Sequence, residues 1–301
     1  MHRREVLAGL AAAGAGALLP RFAVAEIPAG AGTVRTVSDG NLVLPRSFVL
    51  GGLPEEELAP ILKAHGVSGD QLTPPCNVTL YQDDTRTVLF DVGAGATFMP
   101  SAGELFESLD AAGVAPEDVT EVVFTHAHPD HLWGLLDDFG DPAFPNARLM
   151  MGRAEWDYWT DPETVNTIGA ERQAFAVGAA RRLEMVADQM EFFEDDDEVL
   201  PGIVAVGTFG HTPGHMSFDV GGGDGVFVIG DAVANAHVAF ARPGWATAND
   251  QDPETAAATR TALMGRLAEE ARTVIGFHLP HGGTGRVVAE GDGYRFEAAD
   301  S

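Results

Sequence analysis

Two hydrophobic periods alternate along this chain. Thr33–Ser38 and Asn41–Leu50 alternate or run apolar on either side of Asp39-Gly40, which predicts a hairpin. Leu53–His65 has helical spacing, and Asn77–Gln82 with Thr85–Asp91 reads as a second strand pair. Gly93 and Gly95 then mark a tight loop. Glu104–Ala112 is a predicted helix that Gly113 ends. Glu121–Thr125 (EVVFT) predicts a buried strand that runs straight into His126. A helix is expected to begin at Leu132 and reach Asp138. Arg148–Met151 predicts a strand, and Arg153 to about Met185 is helical with a break near Asp161-Pro162. After the acidic run Glu194–Glu198, expected as a solvated turn, strands resume at Ile203–Thr208, Met216–Val220 and Val226–Ile229. Pro253–Glu270 predicts a helix, Thr273–Phe277 a strand, and Arg286–Ala289 with Tyr294–Glu297 a last hairpin.

The elements thus fall into two similar sets, split near residues 190–200 with no Pro/Ser/Gly linker between them. This predicts one domain over residues 26–301, built from two halves, rather than two independent domains. Residues 1–25 stand apart. Arg3 and Arg4 precede an apolar Ala/Gly/Leu stretch to Leu19, and Ala23-Val24-Ala25 supplies small residues for cleavage. This is the layout of an export signal of the twin-arginine type, so the expected location is periplasmic or secreted, without stable membrane association once the signal is removed.

A net charge of −27 argues against nucleic acid as a partner, because the phosphate backbone would be repelled. The expected partner is a small-molecule substrate, and nothing in the sequence opposes a homodimer. Cys76 is the one cysteine, so neither an intrachain disulfide nor a cysteine-rich zinc site can form, and a buried apolar role is expected. Any metal must be held by His and Asp.

Of ten histidines, seven lie in three short segments: His126, His128 and His131; His211 and His215; His278 and His281. Each segment follows a predicted strand, where loops present functional groups. In His126-Ala127-His128-Pro129-Asp130-His131, residues two apart in an extended chain point the same way, so His126 and His128 can grip one ion. Pro129 keeps His128 extended, and the chain then turns to aim Asp130 and His131 elsewhere. Gly210-His211-Thr212-Pro213-Gly214-His215, Gly230-Asp231 and Phe277-His278 add further donors. A carboxylate such as Asp231 can bridge two cations. His278 is preferred over His281 as the last ligand because it directly ends its strand. His211 is expected to hold a ligand in place rather than to bind. Such nitrogen and carboxylate donors suit zinc first, with iron, cobalt or manganese as further fits.

At these residues the chain resembles the metallo-β-lactamase superfamily: THAHPDH, TPGH, GD and FHLP match its metal motifs in order and spacing from about Thr33 onward. The resemblance implies an α/β (α+β) fold, a four-layer αββα sandwich with the metals at one edge. Asp231 through Phe240-Ala241-Arg242-Pro243, Asp252-Pro253-Glu254 and Phe277-His278-Leu279-Pro280 resemble the branch of methyl parathion hydrolase and related lactonases and arylesterases. By that resemblance His126, His128 and His215 bind a first divalent ion, Asp130, His131 and His278 a second, and Asp231 bridges them. Acyl-homoserine lactonases carry a tyrosine shortly after the bridging aspartate. Here the stretch is Asp231-Ala232-Val233-Ala234-Asn235-Ala236, which counts against a quorum-quenching assignment.

The expected activity is therefore dinuclear metal-dependent hydrolysis of lactones, aryl esters or organophosphate triesters, with Asp130 also relaying a proton. The alternatives are a mononuclear iron redox enzyme on the same scaffold, such as a persulfide dioxygenase, and thioester or β-lactam hydrolysis. Trp133, Phe98, His237 and Phe240 are the expected substrate-pocket residues. Trp156, Trp159 and Trp245 are further aromatic candidates.

Overall fold

The structure, a computed structural model, describes residues 26–137 and 139–299; the expected export signal lies outside them. The first half of the chain forms β1 (Ile27–Ala29), β2 (Gly32–Asn41), β3 (Leu44–Pro45), β4 (Gln71–Leu72), β5 (Pro75–Gln82), β6 (Thr87–Phe90), β7 (Glu121–Phe124), β8 (Arg148–Gly152) and β9 (Met190–Phe193). The second half forms β10 (Glu198–Leu200), β11 (Ile203–Gly207), β12 (Met216–Val220), β13 (Val226–Gly230), β14 (Thr273–Gly276), β15 (Thr284–Glu290) and β16 (Gly293–Ala298). Two seven-stranded sheets result, ordered β1-β2-β5-β6-β7-β8-β9 and β10 through β16 in sequence, with β3 and β4 as a separate ribbon. The acidic run at 194–198 is the turn where the chain leaves the first sheet and enters the second.

Alternation of side chains along the strands sets the layers. In β7, Val123 joins the core between the sheets, against Phe218 and Val228, while Val122 and Phe124 face the helical layer with Leu109, Trp159 and Leu183. In β13, Val226 and Val228 face the first sheet, while Phe227 and Ile229 meet Leu263, Met264 and Leu267 of the helix Pro253–Glu269. Each such side chain contributes roughly 1.5–3 kcal/mol of burial. The sum therefore enforces helix, sheet, sheet, helix, the predicted αββα sandwich. Strands β6 to β9 are parallel, as are β13 and β14. Their carboxyl ends lie where such sheets place ligands. No helix among the described residues is long and apolar enough to cross a membrane.

Three local expectations are corrected. Asp39-Gly40 is not a hairpin turn, because β2 runs through it and pairs with β1 and β5. Asp39 is instead buried, accepting the backbone N–H groups of Ala94 and Leu105. Burial pushes its carboxyl up to about 6 against these donors. Arg46–Leu50, expected as strand, is a short helix. The helix expected from Leu132 instead begins at Pro129 and ends in a 3-10 turn at Trp133–Leu135. There Gly134 packs so closely on the Val92 carbonyl that a Cβ would lie 1.9 Å from it. The Gly134 N–H donates to the Gly93 carbonyl at 3.0 Å rather than to a carbonyl of its own helix, which ends it.

Candidate metal centre

The loop after β7 is fixed from three sides. His128 is extended (φ −65°, ψ 159°), as the proline after it requires, and Pro129 opens the following turn of helix. Asp91, at φ 68°, stands at the end of β6 and accepts from Thr125 N (2.8 Å), Thr125 Oγ1 (2.7 Å) and His131 Nδ1 (2.7 Å). Glu155 lies behind the loop and accepts from Ala127 N (2.9 Å), Trp159 Nε1 (2.5 Å), Thr212 Oγ1 (2.7 Å) and Gly214 N (3.0 Å). One buried carboxylate thus ties the 126–131 loop to the 210–215 loop. Gly214 is needed for that approach, since a Cβ would lie 2.1 Å from Glu155 N.

The ring hydrogens of five histidines are committed outward, and this decides which nitrogens face the centre. Thr125 Oγ1 gives its hydrogen to Asp91, so it accepts from His126 Nδ1 at 3.0 Å, leaving His126 Nε2 bare. His131 Nδ1 donates to Asp91, and His278 Nδ1 donates to the Pro75 carbonyl at 2.8 Å. His211 Nδ1 donates to Asp250 at 3.0 Å, and Asp250 is in turn held by Thr247 and Arg260. The Gln251 amide sits 3.2 Å from His128 Nε2 with its own oxygen buried and unpartnered. With the amide turned over, that oxygen takes an Nε2–H and leaves His128 Nδ1 bare.

The bare nitrogens converge with two carboxylates. His128 Nδ1 lies 3.0 Å from both His126 Nε2 and His211 Nε2. Asp231 Oδ2 is 3.4 Å from His211 Nε2 and 3.3 Å from His278 Nε2, while Asp231 Oδ1 is 3.5 Å from His131 Nε2. Asp130 Oδ2 is 3.1 Å from His278 Nε2 and 3.5 Å from His131 Nε2. His131 Nε2, Asp130 Oδ2 and Asp231 Oδ1 are buried without a hydrogen-bond partner among the described residues. Lone pairs held this close repel one another, and three orphaned buried polar atoms are costly. Positive charge placed between them resolves both problems, so the residues present fit a pair of cations.

The electrostatics divide the centre in two. Burial holds His126 and His128 neutral, reinforced by neighbouring imidazoles. On the other side burial opposes charge at His131, but Asp130, Asp231 and Asp91 overcome it and raise the ring to about 10. His278 is raised for the same reason, chiefly by Asp231. The carboxylate-rich half therefore has an excess of negative charge that protons alone would balance only partly. Asp231 touches both halves.

The structure rearranges the expected ligand set at one place. His215, expected as a ligand, has both nitrogens engaged by protein. Its Nε2 accepts the Asp231 backbone N–H at 2.9 Å, so its Nδ1 carries the hydrogen and donates to Thr208 Oγ1 at 2.8 Å. Thr208 then donates to Ser217, which donates to the Ile229 carbonyl. Gly230, at φ 51°, makes this possible, because a Cβ there would lie 2.7 Å from His215 Nε2. His211, expected only as a support, presents the free nitrogen instead and groups with His126 and His128. His126, His128, Asp130, His131, Asp231 and His278 converge as expected. His281 is not part of the cluster. Cys76 is buried, and its sulfur also lies close to Asp130 and His278.

A cavity of about 460 Å³ opens over the centre, lined by His128, Asp130, Asp231 and His278 and by Leu42, Phe48, Leu72 and Phe175. Phe98 and His237 line it, as expected. Trp133 and Phe240 do not. Trp133 packs beneath Phe98 with Arg182 over its ring, and Phe240 is in the outer core against Phe296. Trp159 is a buried donor to Glu155, Trp156 packs on Phe192, and Trp245 joins a small cluster under the helix Glu55–Ala64. Sequence reasoning missed Asp91, Glu155, Asp250 and Gln251. Asp91 alone had a visible signal, a carboxylate at a strand end before a glycine loop, as at Asp231.

The family model of the metallo-beta-lactamase superfamily matches residues 73–278. Metallo-beta-lactamase domain-containing protein 1 of Mus musculus is 37% identical over 126 residues, 41% of this chain and 40% of that protein. An N-acyl homoserine lactonase of Bacillus cereus is 27% identical over 183 residues, 60% of this chain and 61% of that protein. The chain thus spans about half the length of the curated relatives it matches. Among solved structures, hydrolase AbOPH of the beta lactamase superfamily is 28% identical with a TM-score of 0.82, covering 92% of this chain and 98% of that one. The dizinc quorum-quenching lactonase AidC, solved with N-hexanoyl-homoserine product, has a TM-score of 0.86 at 22% identity, with 92% and 98% covered. The second likeness shows shared fold.

Proposed function

Because this chain belongs to the metallo-beta-lactamase superfamily, we propose that it is a metal-dependent hydrolase whose centre holds two divalent cations, zinc first. The observation that carries the proposal is the convergence of the His126, His128 and His211 nitrogens with the partnerless atoms of Asp130, His131 and Asp231 in one buried centre. His126, His128 and His211 would hold one cation, Asp130, His131 and His278 the other, and Asp231 would span both. When bound, such a pair supplies Lewis acidity and an activated water.

The chain's own residues do the rest. Asp91 and Asp250 fix the tautomers of His131 and His211, and the Pro75 carbonyl fixes that of His278. Asp130 lines the cavity and would pass a proton to a departing oxygen. The cavity wall is mainly aliphatic and aromatic, which supports uncharged substrates with an apolar arm: lactones and aryl esters first, organophosphate triesters next. The named activities of AidC and the Bacillus cereus lactonase favour lactones within that group. The paired arginines and apolar run of residues 1–25 support export to the periplasm or beyond the cell.

The test is elemental analysis joined to turnover. Two zinc-like ions per chain, with lactone or aryl ester hydrolysis lost on chelation and restored by zinc, is the expected result. One iron per chain and no hydrolysis would replace this reading with the iron redox alternative. Asp130→Asn with both cations retained and full turnover would remove the proton-relay role.

A further inference from the structure

One wall of the cavity runs continuously from the metal centre along Asp231, Ala234, Asn235 and Ala236 to His237. His237 opens the short helix Val238–Ala241, and its Nδ1 accepts the Val238 backbone N–H at 2.9 Å. A backbone N–H can only donate, so Nδ1 carries no hydrogen and the neutral ring must carry it on Nε2. Among the described residues Nε2 has no hydrogen-bond partner, and the ring faces the cavity. Asn235 Oδ1 takes the Ala239 N–H, and Arg172, elsewhere on the cavity lining, donates to the Ala248 carbonyl. The surroundings of His237 keep it uncharged. Burial lowers the ring to about 4, and His65, edge-on at 6.2 Å, adds to the effect. Leu44, Val67 and Leu72 supply apolar surface nearby, next to Ser68, Gln71 and Thr73.

We infer that His237 is a substrate-orienting residue whose Nε2–H binds an uncharged oxygen acceptor in the apolar arm of the substrate, away from the scissile bond. The inference deepens the hydrolase reading and rests on it. The favoured substrate is an ester or lactone with a second carbonyl in its arm. A simple alkyl arm would leave this donor desolvated and unpaired, which the site penalises. A cationic arm would be repelled by the N–H and has no carboxylate at this end of the wall to receive it.

The experiment uses metal-loaded protein and 4-nitrophenyl alkanoates, each paired with oxo-alkanoates of the same length in which the carbonyl is moved stepwise along the chain. Wild type should prefer the oxo ester at one carbonyl position by about tenfold in kcat/KM, the size of one net hydrogen bond. The oxo-to-alkyl ratio should fall to near one in His237→Leu and recover in part in His237→Gln. It should stay constant from pH 6 to pH 8. Metal content and melting temperature of each variant separate folding defects from loss of the donor. A wild type with no preference at any position overturns the inference. So does a His237→Leu variant that loses both esters equally and keeps the ratio, because that marks a structural role. If no ester is turned over, the hydrolase reading fails separately. The N-phenyl amides of the same acids, bound in a calorimeter, then read the His237 preference alone.

Discussion

Replacing Glu155 with Gln tests whether one buried carboxylate holds the two ligand loops together. Its four hydrogen-bond partners are all donors, two on each oxygen. Gln keeps one oxygen for Ala127 N and Trp159 Nε1 but turns an NH2 toward Gly214 N and Thr212. The Thr212 hydroxyl can rotate to accept; the Gly214 N–H cannot. That orphaned donor costs about 1–3 kcal/mol, and loss of charge assistance on the remaining bonds adds about 1 kcal/mol each. The sum is roughly 3–5 kcal/mol, or about 5–8 °C in melting temperature for a chain of 301 residues. The measurement is a thermal melt of metal-free protein, followed by zinc titration, where affinity should fall about tenfold or more. Burial raises the Glu155 pKa above its ordinary value, by more than the four donors lower it. A protonated Glu155 would have nowhere to put its hydrogen, so the four donors favour the carboxylate. A Gln variant that melts within a degree of wild type and binds zinc equally would show the acid to be protonated and this reasoning to be wrong.

Other expectations follow from the same geometry. His211→Ala should lose about one equivalent of bound metal, whereas His215→Ala should keep both equivalents while weakening Asp231 placement; equal losses by elemental analysis would restore His215 as a ligand. His237 is held near pKa 4 in the fold against an ordinary 6.5. The unfolded chain therefore gains the proton first as pH falls, and stability drops by about 2 kcal/mol between pH 7 and pH 5. His237→Gln should show a correspondingly shallower acid loss in denaturant titrations. Zinc at a hundred times its dissociation constant should stabilise the fold by about 2.7 kcal/mol, read as a chelator-reversible rise in melting temperature. Trp133→Phe should leave KM within twofold, since Trp133 lies beneath Phe98 rather than on the cavity wall; a tenfold rise would place it in contact with substrate.

The layers and most of the centre were legible because the continuous apolar runs Val226–Ile229 and EVVFT are local signals of strands buried on both faces. So was the extended His126–His128 pair, since Pro129 fixes its backbone. Asp39-Gly40 misled because a turn dipeptide says nothing about a carboxylate claimed by amides more than fifty residues away. The exchange of His211 and His215 was not readable either. Both sit four apart in one loop, and only the Asp231 amide and the Thr208 hydroxyl, reached through folding, determine which ring has a nitrogen to spare. Glu155 and Asp250 carried no motif, because their role is set by what packs on them.

The turn at 194–198 divides the donors between the halves: His126, His128, Asp130 and His131 before it, His211, Asp231 and His278 after it. Neither fragment of a chain cut there owns a full coordination set. Full zinc uptake by such a pair of fragments would therefore report their reunion, and the centre would act as a logical conjunction that fills only when both partners have docked face to face.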